Sequence, residues 1–167
     1  MIYLIPPVAA PNEVSNTNQE RGKGTMPTKL GVFGKQYQIN TSNTAIDVDD
    51  LEGHQIGISA SKGVNFDGPF AGEFVTFFTT YDLVMGNGTF KGYGTHFHSN
   101  GDVHYNKYHG TMTTQMVDDK PVTTFEATWE IAGGTGEYKN AKGGGTSKGK
   151  AITPDVAFME WEGEVTK

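Results

Sequence analysis

The feature that most constrains this chain is a two-residue alternation of side chains, interrupted at short intervals by turn residues. Over residues 72–85, Phe77 and Tyr81 fall on one face of an extended segment. Phe74 and Phe78 fall on the opposite face of the same segment. Successive residues of a β-strand point to opposite faces, so the pattern predicts a strand that is covered on both sides. No part of the chain keeps the 3.6-residue period of an amphipathic helix.

About eight such segments can be counted, and glycine-rich hairpin signals separate them. Gly86-Asn87-Gly88 and Asn100-Gly101-Asp102 are typical of tight turns between antiparallel strands. The first strand is predicted at Val32–Ile39, followed by a polar connection over Thr41–Glu52. Eight consecutive antiparallel strands favour an all-β, up-and-down β-barrel, because closure of the sheet removes its exposed edges. A barrel of eight strands encloses space for one small ligand.

The domain organisation follows from where the alternation begins. Residues 11–30 are polar, contain proline and glycine, and show no periodicity. We therefore predict a flexible leader over residues 1–30 and a single barrel domain over residues 31–167. The apolar start, residues 1–10, fits either the arm of a cytoplasmic protein or a trimmed export signal, so the compartment stays open.

Charge and composition exclude several classes of function. The net charge is −6 and the only arginine is Arg21, which lies in the predicted leader. This balance disfavours nucleic acids and anionic membranes as partners, since both require a basic surface. The chain has no cysteine, so thiolate nucleophiles, disulfides and cysteine-ligated metals are excluded. The partner we expect is a small hydrophobic or aromatic molecule.

A family resemblance rests on a glycine-rich motif near the C-terminus. The run IAGGTGEYKNAKG, residues 131–143, resembles the I-x-GGTG-x-Y-x-x-A-x-G turn of allene oxide cyclase-like barrels, which include bacterial proteins of unassigned activity. Trp161-Glu162-Gly163 is similar to the W-x-G of their closing strand. Gly101-Asp102, followed by Gly110-Thr111, is similar to their hairpin. The resemblance covers roughly residues 54–166.

The resemblance implies a barrel with a ligand cavity at one mouth, usually assembled as a homotrimer. Known activities of such barrels include the cyclisation of an unsaturated fatty-acid epoxide, in which the protein mainly shapes the substrate. The chain is also distantly similar to pyocyanin demethylase, a related barrel that demethylates a phenazine with a carboxylate near the C-terminal strand. Glu160 or Glu162 occupies the comparable strand here.

Four of the five histidines fall within fourteen residues: His96, His98, His104 and His109. His96 and His98 are two residues apart on a predicted strand and face the same way. His104 can lie beside them across the Asn100-Gly101 turn, whereas His109 has the opposite parity to His104. Histidines without a metal are the main interpretation, and we predict no metal and no other cofactor. A zinc, copper or iron site on the first three remains an alternative.

The candidate catalytic residues are Glu160, Glu162 and His98. Glu160 and Glu162 alternate with Met159 and Trp161, so either the glutamates or the apolar pair faces the lumen. An apolar lumen is the default, because burying several carboxylates is costly. A single interior glutamate would have a raised pKa and could act as an acid or base.

These observations predict a small-molecule enzyme with isomerase- or cyclase-type chemistry on an apolar or aromatic substrate. The alternatives are a non-catalytic ligand-binding barrel and a phenazine-demethylase-like oxidoreductase. The candidate substrate-binding residues are the aromatic and histidine side chains of the predicted strands: Tyr81, Tyr93, Tyr105, Phe77, Trp129, Trp161, His96 and His104.

Overall fold

The computed structural model describes residues 29–167, and within them eight antiparallel strands close into a barrel. Each strand pairs with the next along the chain, and the last strand pairs with the first. The predicted eight-stranded up-and-down barrel is therefore confirmed. The strands are β1 Lys29–Asp47, β2 His54–Asp67, β3 Phe74–Val84, β4 Asn87–Phe97, β5 Val103–Val117, β6 Lys120–Gly134, β7 Lys142–Thr153 and β8 Val156–Thr166, and a short 3₁₀ turn at Gly136–Tyr138 precedes β7.

The first strand is longer than its sequence pattern predicts. β1 continues through the segment expected to be a polar connection, and Thr44 there pairs with Ile58 of β2. At its other end, Lys29 pairs with Thr166 of β8, although residue 29 was assigned to the leader. Backbone pairing on both sides extends the strand where side-chain alternation is weak. The rest of the predicted leader, residues 1–28, lies outside the described residues.

Strand parity sends one set of side chains into the barrel and the other to the outer surface. One end of the interior is plugged by a small core whose members are contributed by four separate chain segments. Val32, Ile131, Tyr138, Ala141 and Val165 are buried there, and Phe70, Trp129 and Trp161 pack against them. Above this plug the interior is hollow. The plug therefore makes the floor of a cavity.

The glycine-rich motif near the C-terminus shapes this floor. Gly136 has φ +48°, and a Cβ there would collide with the carboxylate of Asp102. Asp102 in turn accepts a hydrogen bond from the backbone N–H of Glu137 at 3.1 Å. The turn therefore holds Tyr138 against the floor, where its side chain is buried. The part of the chain that the structure describes contains no helix long and apolar enough to cross a membrane.

Candidate functional site

The barrel encloses a cavity of about 470 Å³, within the range of small-molecule sites. Its aromatic wall comes from β3 to β6, whose inward positions carry large rings. This wall consists of Phe77, Tyr81, Phe90, Tyr108, Phe125 and Trp129. Rings of this kind offer flat apolar contact to a planar ligand.

The wall formed by β1 and β2 is polar but uncharged. It contains the amides Gln36, Gln38, Asn40, Asn43 and Gln55, together with Ser59 and Ser61. Gln36 is fully buried, and neither of its amide atoms has a hydrogen-bond partner within residues 29–167. Buried amides without partners are costly, so these atoms are available to a ligand or to water in the cavity.

Fixed charge is scarce in the lining. Among the described residues that line the cavity, none is lysine or arginine, and Asp155 is the only carboxylate. Asp155 is exposed, at the turn between β7 and β8. A ligand that enters this cavity therefore meets hydrogen-bonding groups and rings, but no cation that would neutralise an anionic group.

Two histidines stand side by side on the cavity floor. His96 of β4 and His104 of β5 are directly paired in the sheet register, so their side chains point inward together. Their rings stack with centroids 4.2 Å apart and an angle of 9° between planes. Both rings line the cavity.

A third histidine lies behind them. His98 follows β4, and its backbone N–H donates to the carbonyl of Asp102, which closes the hairpin. Its Nε2 is 2.7 Å from Nδ1 of His104, a hydrogen bond between two buried rings. On its other side the His98 ring stacks on Tyr138, with centroids 4.0 Å apart and a 3° angle between planes. The plug therefore fixes the orientation of His98.

A carboxylate completes this row of side chains. Oε2 of Glu73 is 2.8 Å from Nδ1 of His98, and the two side chains are only 13% and 3% exposed. The carboxylate oxygen lies off the N–H direction of the ring, so this contact is electrostatic and not a well-aligned hydrogen bond. Glu73 immediately precedes β3, in the same parity as Phe77, which explains why it points inward.

His96 is held by a different partner. Its Nε2 is 3.0 Å from Nδ2 of Asn106, the next inward residue of β5 after His104. Since an amide nitrogen can only donate, Nε2 of His96 is an acceptor and the neutral ring carries its proton on Nδ1. The Asn106 carbonyl oxygen has no partner among residues 29–167.

The environment keeps both cavity histidines neutral. Burial lowers the pKa of His104 to about 3, and repulsion from His98 when that ring is protonated, and from Lys167, adds to the effect. Burial also holds the pKa of His96 well below its ordinary value, with the neighbouring histidines contributing next. Burial raises the pKa of Tyr108 to about 12, and its hydroxyl lies 2.7 Å from that of Thr79. The cavity lining is therefore electrically neutral near pH 7 except for Asp155 at the turn between β7 and β8.

Six of the eight residues predicted to bind substrate do line the cavity: Phe77, Tyr81, His96, His104, Trp129 and Trp161. The placement of the other two is a correction, because Tyr93 and Tyr105 are 63% and 43% exposed on the outer face. Each is one residue away from an inward position, so strand parity turns its ring outward.

The predicted catalytic residues are separated. His98 lies at the floor, whereas Glu160 and Glu162 lie outside the cavity that Met159 and Trp161 line. Nζ of Lys148 is 4.0 Å from Glu160 on the outer surface. The apolar lumen predicted as the default is the one observed, and the expectation that one of these glutamates works inside it is corrected.

Sequence reasoning missed Glu73, Asn106 and Gln36 as site residues. Glu73 had a usable signal, since it shares the inward parity of β3 and therefore belongs beside the histidines. Asn106 and Gln36 had no such sequence signal, because polar side chains inside a barrel cannot be told from solvent-facing ones by sequence alone. Within residues 29–167, no three His, Asp or Glu side chains are arranged to hold a metal ion.

Comparisons with known proteins bear on the fold alone. The sequence matches no protein-family model and no curated protein. Among solved structures, the barrel is similar to the pterocarpan synthase dirigent protein GePTS1, with a TM-score of 0.51 and 14% identity over 90% of this chain and 98% of that chain. The resemblance to allene oxide cyclase-like barrels is thus supported as a related barrel fold, and not as family membership.

Proposed function

We propose that this protein is a small-molecule enzyme that isomerises or cyclises an uncharged, planar, apolar or aromatic substrate by proton transfer inside the barrel. The observation that carries the proposal is an aromatic-walled cavity whose floor presents His104, a buried imidazole connected through His98 to Glu73. An imidazole is the side chain most often used to move protons between substrate atoms.

The substrate class follows from the two walls of the cavity. Stacked rings favour a planar ligand, while the free amide atoms of Gln36 and Asn106 favour one that carries a hydroxyl or carbonyl group. The absence of lysine and arginine from the described lining disfavours a substrate held by its carboxylate. An enclosed neutral cavity also suits ring closure, which requires a folded conformer more than a charged catalyst.

A non-catalytic carrier is the second candidate, and the neutrality of the histidines favours it. A carrier needs only shape and hydrogen bonds, which the walls already provide. The name of the structural neighbour, a pterocarpan synthase dirigent protein, is compatible with either candidate. The phenazine-demethylase-like alternative has no support from this geometry, since Glu160 and Glu162 lie outside the cavity.

Ligand entry is tested with a matched pair of β7 variants. Ser147 lines the cavity, whereas the adjacent Thr146 faces outward, so Ser147→Phe fills the lumen and Thr146→Phe does not. We expect neutral aromatic probes such as 1-naphthol and 2-naphthol to quench the fluorescence of Trp129 and Trp161 in the wild type and in Thr146→Phe. Quenching that survives Ser147→Phe would place the ligand elsewhere and contradict the proposal.

A second experiment tests whether the protein converts a bound ligand or only carries it. Ligands that quench the tryptophan fluorescence are incubated with the protein in deuterated water. They are then recovered and analysed by mass spectrometry. Deuterium incorporation or a changed product, lost in His104→Gln and kept in His109→Gln, supports the enzyme. Recovery of every bound ligand unchanged and unlabelled supports the carrier.

We also propose that the barrel assembles into a homo-oligomer, specifically a trimer. An apolar row crosses the outer surface through directly paired residues: Phe158, Tyr37, Val64, Phe74 and Phe97. Large exposed apolar areas of this kind mark association surfaces. Light scattering coupled to gel filtration tests the assembly, and Phe74→Glu should dissociate it. A monomer at micromolar concentration would contradict the proposal.

A further inference from the structure

We propose that Glu73, His98 and His104 form a proton relay, in which Nε2 of His104 takes a proton from the ligand and His98 receives the charge beside Glu73. This inference rests on the proposed function and deepens it. The three side chains run from the Glu73 carboxylate behind the floor to the His104 ring in the cavity. Glu73 contacts His98 at 2.8 Å, and His98 contacts His104 at 2.7 Å. The proposed substrate is a neutral ligand with an acidic C–H bond, and the atom that removes its proton is Nε2 of His104.

The order of donors and acceptors assigns the protons. The negative charge of the Glu73 carboxylate, 2.8 Å from Nδ1 of His98, favours the tautomer of His98 that carries its proton on Nδ1. In the neutral ring, Nε2 of His98 then has a free lone pair. That lone pair accepts from Nδ1–H of His104. His104 is thereby left with an unprotonated Nε2, the atom that its hydrogen bond to His98 leaves free.

The catalytic step conserves protons and electrons without any co-reactant. The ligand C–H bond breaks and its proton bonds to Nε2 of His104, while the electron pair stays on the ligand as an enolate or an equivalent anion. The Nδ1 proton of His104 moves to Nε2 of His98. His98 is then an imidazolium between His104 and the Glu73 carboxylate. The Nε2 proton of His98 then returns to Nδ1 of His104 while the Nε2 proton of His104 passes to a different ligand atom, which completes an isomerisation and restores both neutral rings.

The surroundings of His104 explain why a single histidine would be a poor base here. Burial, together with repulsion from His98 when it is protonated and from Lys167, lowers the pKa of His104 to about 3, so a positive charge does not persist on this ring. His96, Tyr138 and Phe70 pack around it and supply no anion. Among residues 29–167 the anion of this group is Glu73, and His98 is the ring that contacts it. Relay of the proton moves the charge to the position where it is compensated.

His96 has no such connection. Its Nε2 is occupied by the amide of Asn106, and its ring stacks on His104 without a hydrogen bond to the carboxylate row. His96 is therefore a positioning residue that holds the plane of His104. This contrast makes the inference specific, because two adjacent cavity histidines are assigned different tasks.

The wild-type protein tests the proton assignment directly. With ¹⁵N-labelled histidine, long-range ¹H–¹⁵N spectra at pH 7 report which ring nitrogen carries the proton. We expect His104 in the Nδ1–H form and His98 protonated on Nδ1, with the resonances assigned by His98→Gln and His104→Gln. Detection of His104 in the Nε2–H form at neutral pH would overturn the relay, whatever the ligand.

Glu73→Gln supplies a matched perturbation that keeps the size of the side chain. A glutamine can donate to Nδ1 of His98 as well as accept from it, so the order of protons is no longer fixed. We expect the Nε2–H form of His104 to appear in this variant. An unchanged Nδ1–H form would show that Glu73 does not direct the protons, and would overturn its place in the relay.

Base strength is measured with 5-nitrobenzisoxazole, a neutral planar probe that opens when a base removes the single C–H proton of its isoxazole ring. The C–H proton goes to the base, the ring N–O bond breaks, and a coloured cyanophenolate forms. We expect His104→Gln to lose the protein-dependent rate, and Glu73→Gln to reduce kcat by on the order of 100-fold with little change in KM. The surface variant His109→Gln should keep the full rate.

The two proposals fail differently in this assay. Tryptophan quenching by the probe, without base-promoted opening in the wild type, overturns the relay and leaves the binding cavity intact. An equal rate in wild type and Glu73→Gln overturns the role of the carboxylate. A probe that neither binds nor competes with naphthol contradicts the proposed function, and the ring-nitrogen spectra then decide the relay independently.

Discussion

The burial of His104 has a consequence for stability that can be measured without knowing any ligand. Its pKa is lowered to about 3 in the folded protein. In the unfolded chain a histidine titrates near about 6.5. Between these two values the unfolded state binds one proton more than the folded state, so the free energy of unfolding falls as the pH falls. The slope is about 1.4 kcal/mol per pH unit, which amounts to about 3 kcal/mol between pH 7 and pH 4.

Urea unfolding of the wild type and His104→Gln, followed by tryptophan fluorescence at pH 7, 6, 5 and 4, isolates this contribution. The variant keeps the other groups around the site, namely Glu73, His96, His98, Tyr138 and Lys167, so the difference between the two pH profiles reports His104. We expect the wild type to lose stability more steeply than the variant below about pH 6.5.

The matched control is His109→Gln, because His109 is exposed on the outer face of β5. Its profile should follow that of the wild type. Parallel profiles for wild type and His104→Gln between pH 6 and pH 4 would refute the argument, since they would mean that His104 can be protonated without unfolding the barrel.

Two further predictions concern the ends of the barrel. Tyr138 is 3% exposed in the floor core, so Tyr138→Ala should lower the free energy of unfolding by about 3–5 kcal/mol. The melting temperature should fall by about 10 °C or more. A loss below about 1 kcal/mol in urea unfolding would show that the floor does not depend on Tyr138. At the opposite end, hydrogen bonds to Asp50 and then Asp82 raise the pKa of His54, so its stabilising contribution is complete below about pH 6.5 and is lost as the pH rises through the raised value. Thermal melts of the wild type should therefore show a modest decline in stability as the pH rises above about 6.5, and His54→Gln should lack it. Identical pH profiles would contradict this.

The fold was largely predictable because its determinants are local. Alternation over β3 identified Phe77 and Tyr81 as sharing a face, and the Asn100-Gly101 turn brought His104 back beside His96. Both inferences need only the parity of a strand and the geometry of a hairpin. The length of β1 was not predictable in this way, since its polar second half is held by backbone pairing that leaves no side-chain pattern.

The candidate site was predictable only in part. Parity put His96 and His104 on one surface, but it cannot tell a lumen from an outer face before the barrel closes. Tyr93 and Tyr105 have the opposite parity to His96 and His104 on the same strands, so they could not share the lumen with these histidines. The same ambiguity allowed Glu160 and Glu162 to be considered as interior groups, and closure of the sheet turned them to solvent.

The sequence by itself determined the number of strands, their antiparallel order and the neighbouring positions of the histidines, because these depend on contacts between residues close in the chain. Only the tertiary structure decided that Glu73 and His98 are buried and that a neutral cavity opens before His104. Glu73 and His98 are neighbours at the open end of the β3–β4 hairpin, beside the paired residues Phe74 and Phe97, and closure of the barrel together with the plug buries them. Closure sets which side of each strand is desolvated, and desolvation distinguishes the buried His104 from the exposed His109.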